Sequence, residues 1–340
     1  MRTESVRERR AQTFPGLDVV RLGAALLVAF FHLGFYLAPT KAAIFSPGWV
    51  GVEIFFVISG FVIAFSADGR SVKTFAKSRL ARLYPAAFIC STLIVLLRWS
   101  PTSLPPNALL LYLKSATLFP IGPWVDNVFW TLPVEMAFYS LVGVALWRNW
   151  SLPRVALWLG GYSSAFWALN LISYVSGAFH FPIMHTAKYS LLLCYYGVFF
   201  ALGILLYARK HLIPALFFVI VALVATTDRS WASTAENGGL PYYAAPAIWM
   251  AAIGLIAASV FWNDRLQGFR TRTIGLMTYP LYLIHSSVGI LVFGVVPFPY
   301  APIIGVGLAL IASFAVLPLE RIIRRPFIAA PRFVAIAAEP

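Results

Sequence analysis

The sequence predicts an all-α membrane protein, a bundle of about ten transmembrane helices with both termini cytoplasmic. Three observations lead there. Hydrophobic residues make up 60% of the 340-residue chain and charged residues only 11%, where soluble domains carry roughly 25% charge. The apolar residues fall in runs long enough to cross a hydrocarbon core of about 30 Å, which takes roughly 20 helical residues. The basic residues between those runs alternate between crowded and sparse connections, as the cytoplasmic bias of Lys and Arg requires.

Ten spans follow in order: 17–38, 48–66, 81–98, 128–147, 154–176, 188–207, 212–227, 243–262, 274–296 and 302–320. Charge, Pro or Gly bounds each of them. The first follows the basic stretch MRTESVRERR and stops at Pro39; the second stops at Asp68-Gly69-Arg70. The third carries Pro85 behind a basic start, and the fourth stops at Arg148-Asn149. The fifth starts at Arg154, and Arg209-Lys210 separates the sixth from the seventh. Asp264 and Arg265 close the eighth, Pro297 closes the ninth, and Arg321 follows the last. The apolar segment 107–120 is too short to span and reads as an interfacial or re-entrant piece. The start of the chain resembles the n-region of a signal peptide, but the run behind it is long and carries Arg21 and His32, so it reads as a retained span.

With the N-terminus inside, twenty of the 26 basic residues fall on cytoplasmic segments. Outer connections hold Lys41, Lys114, Lys188 and Arg229, with Arg98 at a span end and Arg21 within a span. The net charge of +14 is therefore read as topology, not as a nucleic-acid surface, because it is dispersed between apolar runs. The chain divides into a basic cytoplasmic tail at 1–16, one membrane domain at 17–322 and a cytoplasmic tail at 323–340. Cys90 and Cys194 lie in apolar runs, offer neither disulfide framework nor metal spacing, and read as small core residues. No metal site is expected.

Ionisable residues inside spans are costly and mark candidate sites. Arg21 and His32 are eleven residues apart in the first span, close to three helical turns, so they share a face about 16 Å apart along the axis. Asp18 and Arg21 are spaced to pair on that helix. By depth, His32, Glu53 and Glu135 fall in one layer near the outer face, with His285 nearer mid-membrane. His32 can accept a hydroxyl proton if a carboxylate orients it; its bland alternative is a hydrogen bond to a neighbouring helix. Glu53 either belongs to this site or pairs with a cation to tie helices together, and His285 is equally open. Arg79 and Arg82 at the start of the third span can bind phosphates or simply be a positive-inside flank.

Five segments, taken in order, resemble the acyltransferase-3 family of integral membrane acyltransferases. The first-span pattern of aspartate, arginine and histidine is matched by LDVVRLGAALLVAFFH, with Asp18, Arg21 and His32. The glycine-containing second span is matched by GWVGVEIFFVISGFVI, and the basic start of the third by RLARLYP. The fourth-span pattern matches FWTLPVEMAFY, with Glu135 and Tyr139, and the late tyrosine-histidine pattern matches MTYPLYLIH, with Tyr279, Tyr282 and His285. Two positions depart: Glu53 stands where aspartate is usual, and Ser78 where a second adjacent arginine is common. Only the membrane domain is matched, without the esterase-like domain fused to some relatives.

The resemblance implies transfer of an acyl group, with acetyl expected, from acyl-CoA on the cytoplasmic side to a hydroxyl of a glycan, lipid-linked sugar or secondary metabolite. His32 and Glu135 would be catalytic. Arg21, Arg79, Arg82, Glu53, Tyr139, Tyr282 and His285 would bind donor or acceptor. No tightly bound cofactor is implied; acyl-CoA is a co-substrate. The partners implied are the lipid bilayer, acyl-CoA, a carbohydrate or small-molecule acceptor and glycan-assembly proteins, with no nucleic acid, and the location is the cytoplasmic (inner) membrane. The rival is a proton-coupled transporter, which uses the same buried groups but more often shows inverted repeats or paired broken helices. A structural partner in an envelope assembly would have no need of buried ionisable residues.

Overall fold

The computed structural model describes residues 13–100, 102–176, 187–298 and 300–328. Among them there is no strand, and nine helical segments are long and apolar enough to cross a membrane. The protein is a multi-pass helical membrane bundle.

Helix α1 (Pro15–Phe31) opens with proline in its first turn, where the missing N–H costs nothing, and continues through a π-helical turn, His32–Tyr36. A 3-10 segment, Ala43–Val50, leads into α2 (Gly51–Ala67). Helix α3 (Val72–Arg98) starts nine residues before the span expected at 81, because Ser71 caps it by accepting the Thr74 N–H at 3.3 Å. Its first turns therefore carry Lys73, Lys77, Arg79 and Arg82 as a helical extension. The short segment at 107–120 forms α4 (Ala108–Ala116), nine residues long. Then come α5 (Thr131–Trp147), preceded by a 3-10 turn at Asn127–Trp130, and α6 (Leu152–Ser176).

The span expected at 188–207 is not one helix. It is built from α7 (Ala187–Leu191), a turn, and α8 (Gly197–Ala208). Twelve residues rise only about 18 Å, too short to cross alone. The break falls where Leu193 adopts a left-handed backbone (φ 60°). Irregular backbone is tolerated among spans only where protein surrounds it, and Leu193, Cys194, Tyr195 and Tyr196 are all buried. Helix α8 is itself buried along nearly its whole length, packed against α2, α6 and the next helix.

Helix α9 (Leu212–Asn237) runs ten residues past the expected end at 227, followed by α10 (Ala244–Phe261), α11 (Asn263–Leu266), α12 (Arg272–Phe293) and α13 (Tyr300–Ile328). The extension of α9 keeps Arg229 helical, not in an outer connection, and it reaches the buried Glu53 of α2. The most extensive helix packing joins α2 to α8, α12 to α13 and α6 to α8, with α1 against α12 next. The tail residues 1–12 and 329–340, with Arg2, Arg7, Arg9, Arg10 and Arg332, lie outside the described residues.

Candidate active site

A cavity of about 420 Å³ opens among α1, α2, α3, α5, α12 and α13, within the range of small-molecule sites. Each helix contributes the residues its phase dictates. From α1 come Asp18 and Arg21, one turn apart; from α3, Ser78, Arg79 and Arg82; from α5, Thr131, Glu135 and Tyr139 at four-residue spacing. Helix α12 supplies Arg272, Gly275, Tyr279 and Tyr282, and α13 supplies Arg324. Five arginines against Asp18 and Glu135 make this cavity strongly cationic. The basic groups cluster where α3 and α12 begin and α13 ends, so one end of the bundle carries the positive charge.

The arginines are held differently. Arg21 Nη1 is 3.6 Å from Asp18 Oδ1, as their spacing predicts, and Thr271 Oγ1 donates to the other Asp18 oxygen at 3.1 Å. Arg324 is 3.1 Å and Arg82 3.9 Å from the buried Glu320 carboxylate, so one anion serves two cations. The Arg82 guanidinium lies over the Tyr279 ring at 5.7 Å. Arg79 donates from Nε to Ser78 Oγ and packs over Phe75 and Tyr139. It has no carboxylate within ion-pair distance among the described residues. Planar guanidinium groups held by aromatic faces and short bonds suit phosphate recognition.

Glu135 belongs to the cavity and does not touch His32. Its Oε1 accepts from Tyr139 OH at 2.5 Å and Ser59 Oγ at 2.8 Å. The carboxylate that shares the expected depth of His32 therefore does not orient it: equal depth does not set the direction in which a side chain points, and Glu135 bonds Ser59 of α2. Instead His32 meets His285, with His285 Nε2 3.2 Å from His32 Nδ1. The two histidines, expected at different depths, form one pair.

The cavity stops short of that pair. Tyr282 is its furthest lining residue along α12 from Arg272, and its hydroxyl accepts from Thr131 Oγ1 at 3.1 Å. One turn beyond, His285 donates from Nδ1 to the Tyr282 carbonyl at 2.7 Å. Tyr282 thus belongs to both places, with its ring in the cavity wall and its carbonyl on His285.

Glu53 lies outside this cavity. It is buried and paired with Arg229, whose guanidinium stacks over Trp49 at 4.3 Å. Of the two readings its sequence left open, this pairing is the helix-tying one; Glu53 does not line the arginine-rich cavity. Four charged groups were not anticipated. Arg272 and Arg324 look like ordinary positive flanks in sequence, and Glu320 looks like a span end. Asp126 is buried beside the histidine-bearing part of α12, accepting from Ser287 Oγ at 2.6 Å and from the Val128 N–H at 3.2 Å. Its signal was local: a lone aspartate just before NVFW has the pattern of a helix N-cap. No group of three metal-ligating side chains occurs among the described residues.

Residues 14–319 match a family model described as an acyltransferase domain, Acyl_transf_3. The exopolysaccharide production protein ExoZ of Rhizobium meliloti (strain 1021) is 33% identical over 136 residues, covering 36% of this chain and 42% of that protein. Acyltransferase MdmB of Streptomyces mycarofaciens is 31% identical over 151 residues, 38% of each chain. O-acetyltransferase OatA of Staphylococcus aureus (strain NCTC 8325 / PS 47) is 32% identical over 155 residues, 37% of this chain and 24% of that protein. The matched part spans less than half the length of each of these curated relatives. No solved structure matches. With nine-tenths of its length inside the family match and its Arg21, His32, Glu135, Tyr282 and His285 gathered around one cationic cavity and its far end, the chain belongs to the acyltransferase-3 family.

Proposed function

We propose that the protein is an acyl-CoA-dependent O-acyltransferase of the cytoplasmic membrane, moving an acyl group, acetyl first among them, to a hydroxyl of a glycan, lipid-linked sugar or secondary metabolite. One observation carries this reading: an arginine-rich cavity runs from one end of the bundle to Tyr282, a single helical turn from His285 and its partner His32. The charge asymmetry of the sequence puts the arginine end in the cytoplasm, where acyl-CoA is found. Arg79, Arg82, Arg272 and Arg324 would hold the nucleotide phosphates, and the pantetheine arm would lie along Tyr139, Tyr279 and Tyr282.

In this mechanism the acceptor hydroxyl gives its proton to His32. The oxygen electron pair attacks the thioester carbonyl, the C–S bond breaks, and the departing thiolate takes the proton from His32. Glu135, bonded to Ser59 and Tyr139, would position the donor. Tyr282 and Thr131 would shape the passage between cavity and base. A carbohydrate acceptor is supported by the name of one relative, an exopolysaccharide production protein.

The test is purified protein with radiolabelled acetyl-CoA and a panel of glycan, lipid-linked sugar and secondary-metabolite acceptors. Label on an acceptor supports the reading. Saturable uptake into proteoliposomes with no acylated product would replace it with a transporter.

A further inference from the structure

We propose that His285 is a positioning residue that holds His32 with its proton on Nδ1, leaving the Nε2 lone pair free for the acceptor hydroxyl. This rests on the reading of His32 as the base. The proton positions follow from the acceptors around the two rings. His285 Nδ1 lies 2.7 Å from the Tyr282 carbonyl oxygen and 3.3 Å from that of Leu281. His32 Nδ1 lies 2.9 Å from the Val28 carbonyl oxygen. A carbonyl only accepts, so each Nδ1 carries a hydrogen, and a neutral imidazole has only one.

Nε2 of His285 is then an acceptor. It lies 3.2 Å from His32 Nδ1, so His32 Nδ1–H is shared between the Val28 carbonyl and His285. The opposite direction, between neutral rings, would set an unprotonated Nδ1 against a carbonyl oxygen in both of them. His32 Nε2 has no protein partner among the described residues, whereas both nitrogens of His285 are engaged and its ring is fully buried. The two rings are therefore not equivalent: His285 is the fixed member and His32 the one with a free nitrogen.

The place behind a catalytic base is usually filled by a third group that orients it and supports its positive form. The carboxylates nearby are committed elsewhere, Glu135 to Ser59 and Tyr139, Asp126 to Ser287 and the Val128 amide. His285 fills that place. When the acceptor O–H bond breaks and an N–H bond forms at His32 Nε2, the ring becomes cationic and its Nδ1–H a stronger donor. The bond to His285 Nε2 then strengthens as the reaction proceeds, which lowers the barrier more than it tightens substrate binding.

The test combines kinetics with imidazole ¹⁵N NMR of the full chain in detergent micelles, the His32 signals being assigned by their loss in His32→Gln. Wild type is expected to show His32 protonated at Nδ1 and unprotonated at Nε2 near neutral pH. His285→Leu should lower kcat about 10- to 100-fold, the loss of one charge-assisted bond, with KM for acetyl-CoA unchanged. His285→Gln, whose amide oxygen can still accept from His32, should recover most of that loss. His32 protonated at Nε2 in wild type, or wild-type kcat in His285→Leu, would overturn the proposal. If the leucine variant does not fold, the wild-type spectrum and the glutamine variant still decide. Full activity in His32→Ala would remove the base reading alone, since the NMR measurement of the tautomer stands without it.

Discussion

Arg79 and Arg82 are three residues apart on α3, yet their surroundings predict different behaviour. Arg82 shares Glu320 with Arg324, so its charge is already partly answered, while Arg79 packs on Phe75 and Tyr139 with no carboxylate in reach among the described residues. A charge-assisted hydrogen bond contributes about 1.5–3 kcal/mol. Arg79→Ala is therefore expected to raise the KM for acyl-CoA roughly 10- to 100-fold with acceptor KM little changed, and Arg82→Ala to raise it less; steady-state kinetics with each substrate varied in turn reads this. Equal and unchanged donor dependence in both variants would assign the pair to topology alone. Glu53 predicts the opposite pattern. It is buried against Arg229, and removing one partner of a buried pair leaves an uncompensated charge, at a cost of about 3–5 kcal/mol. Arg229→Ala should lower thermal stability in detergent sharply while the surviving folded fraction keeps its donor KM; a shifted KM with intact stability would return Glu53 to the substrate site.

At the scale of elements, the contact between α2 and α8 is built on two glycines. A Cβ on Gly60 would meet the Phe200 carbonyl oxygen at 2.2 Å, and one on Gly203 would meet the Val57 carbonyl oxygen at 2.0 Å. Backbone cannot yield as a flexible side chain does, and small residues are what allow helices to approach this closely within a membrane. Gly60→Ala and Gly203→Ala are expected to cost about 1–3 kcal/mol or more and to lower the yield of monodisperse protein on size exclusion. Gly143→Ala, with open space around it, should behave as wild type; equal yields from all three would contradict this packing. The long spans were legible because length and hydropathy are enough to find them. The broken span was not, because Tyr189 through Tyr207 reads as one apolar run, and only the burial of its turn, against Phe56 of α2 and Ser163, Phe166 and Trp167 of α6, makes the break tolerable. The early start of α3 was legible in principle from Ser71, a capping residue, but its basic first turns do not look like a span.

For the whole molecule, charge sorts along the bundle. The arginines of the cavity collect at one end and the histidine pair lies beyond its other, and the distribution of Lys and Arg in sequence predicts a cytoplasmic arginine end. Cys90 and Cys194 are both buried, so a single introduced cysteine gives a clean topology test. A membrane-impermeant maleimide added outside intact cells should label Ile121→Cys, which lies at an exposed position, and not Lys73→Cys; the reverse pattern would invert the orientation. Arg21, His32, Glu135 and His285 stand out in sequence because they are ionisable groups within apolar spans, but depth counted along each span separated His285 from His32, which it meets at 3.2 Å. Direction around each helix is not readable from spacing, so neither the contact of Glu135 with Ser59 nor the meeting of His32 with His285 was legible. Asp126 escaped notice because its burial depends on α12 folding over a connection that looks exposed in sequence. The central claim is that His32 is the base, and the most direct measurement is the turnover of His32→Ala, checked for folding by size exclusion and for acetyl-CoA binding by calorimetry. General base catalysis contributes about 10²–10⁴-fold. Transfer should therefore fall by about that factor while donor binding persists, and wild-type transfer should itself decline toward acidic pH as the imidazole takes up a proton. Near-wild-type turnover in a folded His32→Ala that still binds acetyl-CoA would contradict the claim and move the base into the cavity, to Glu135.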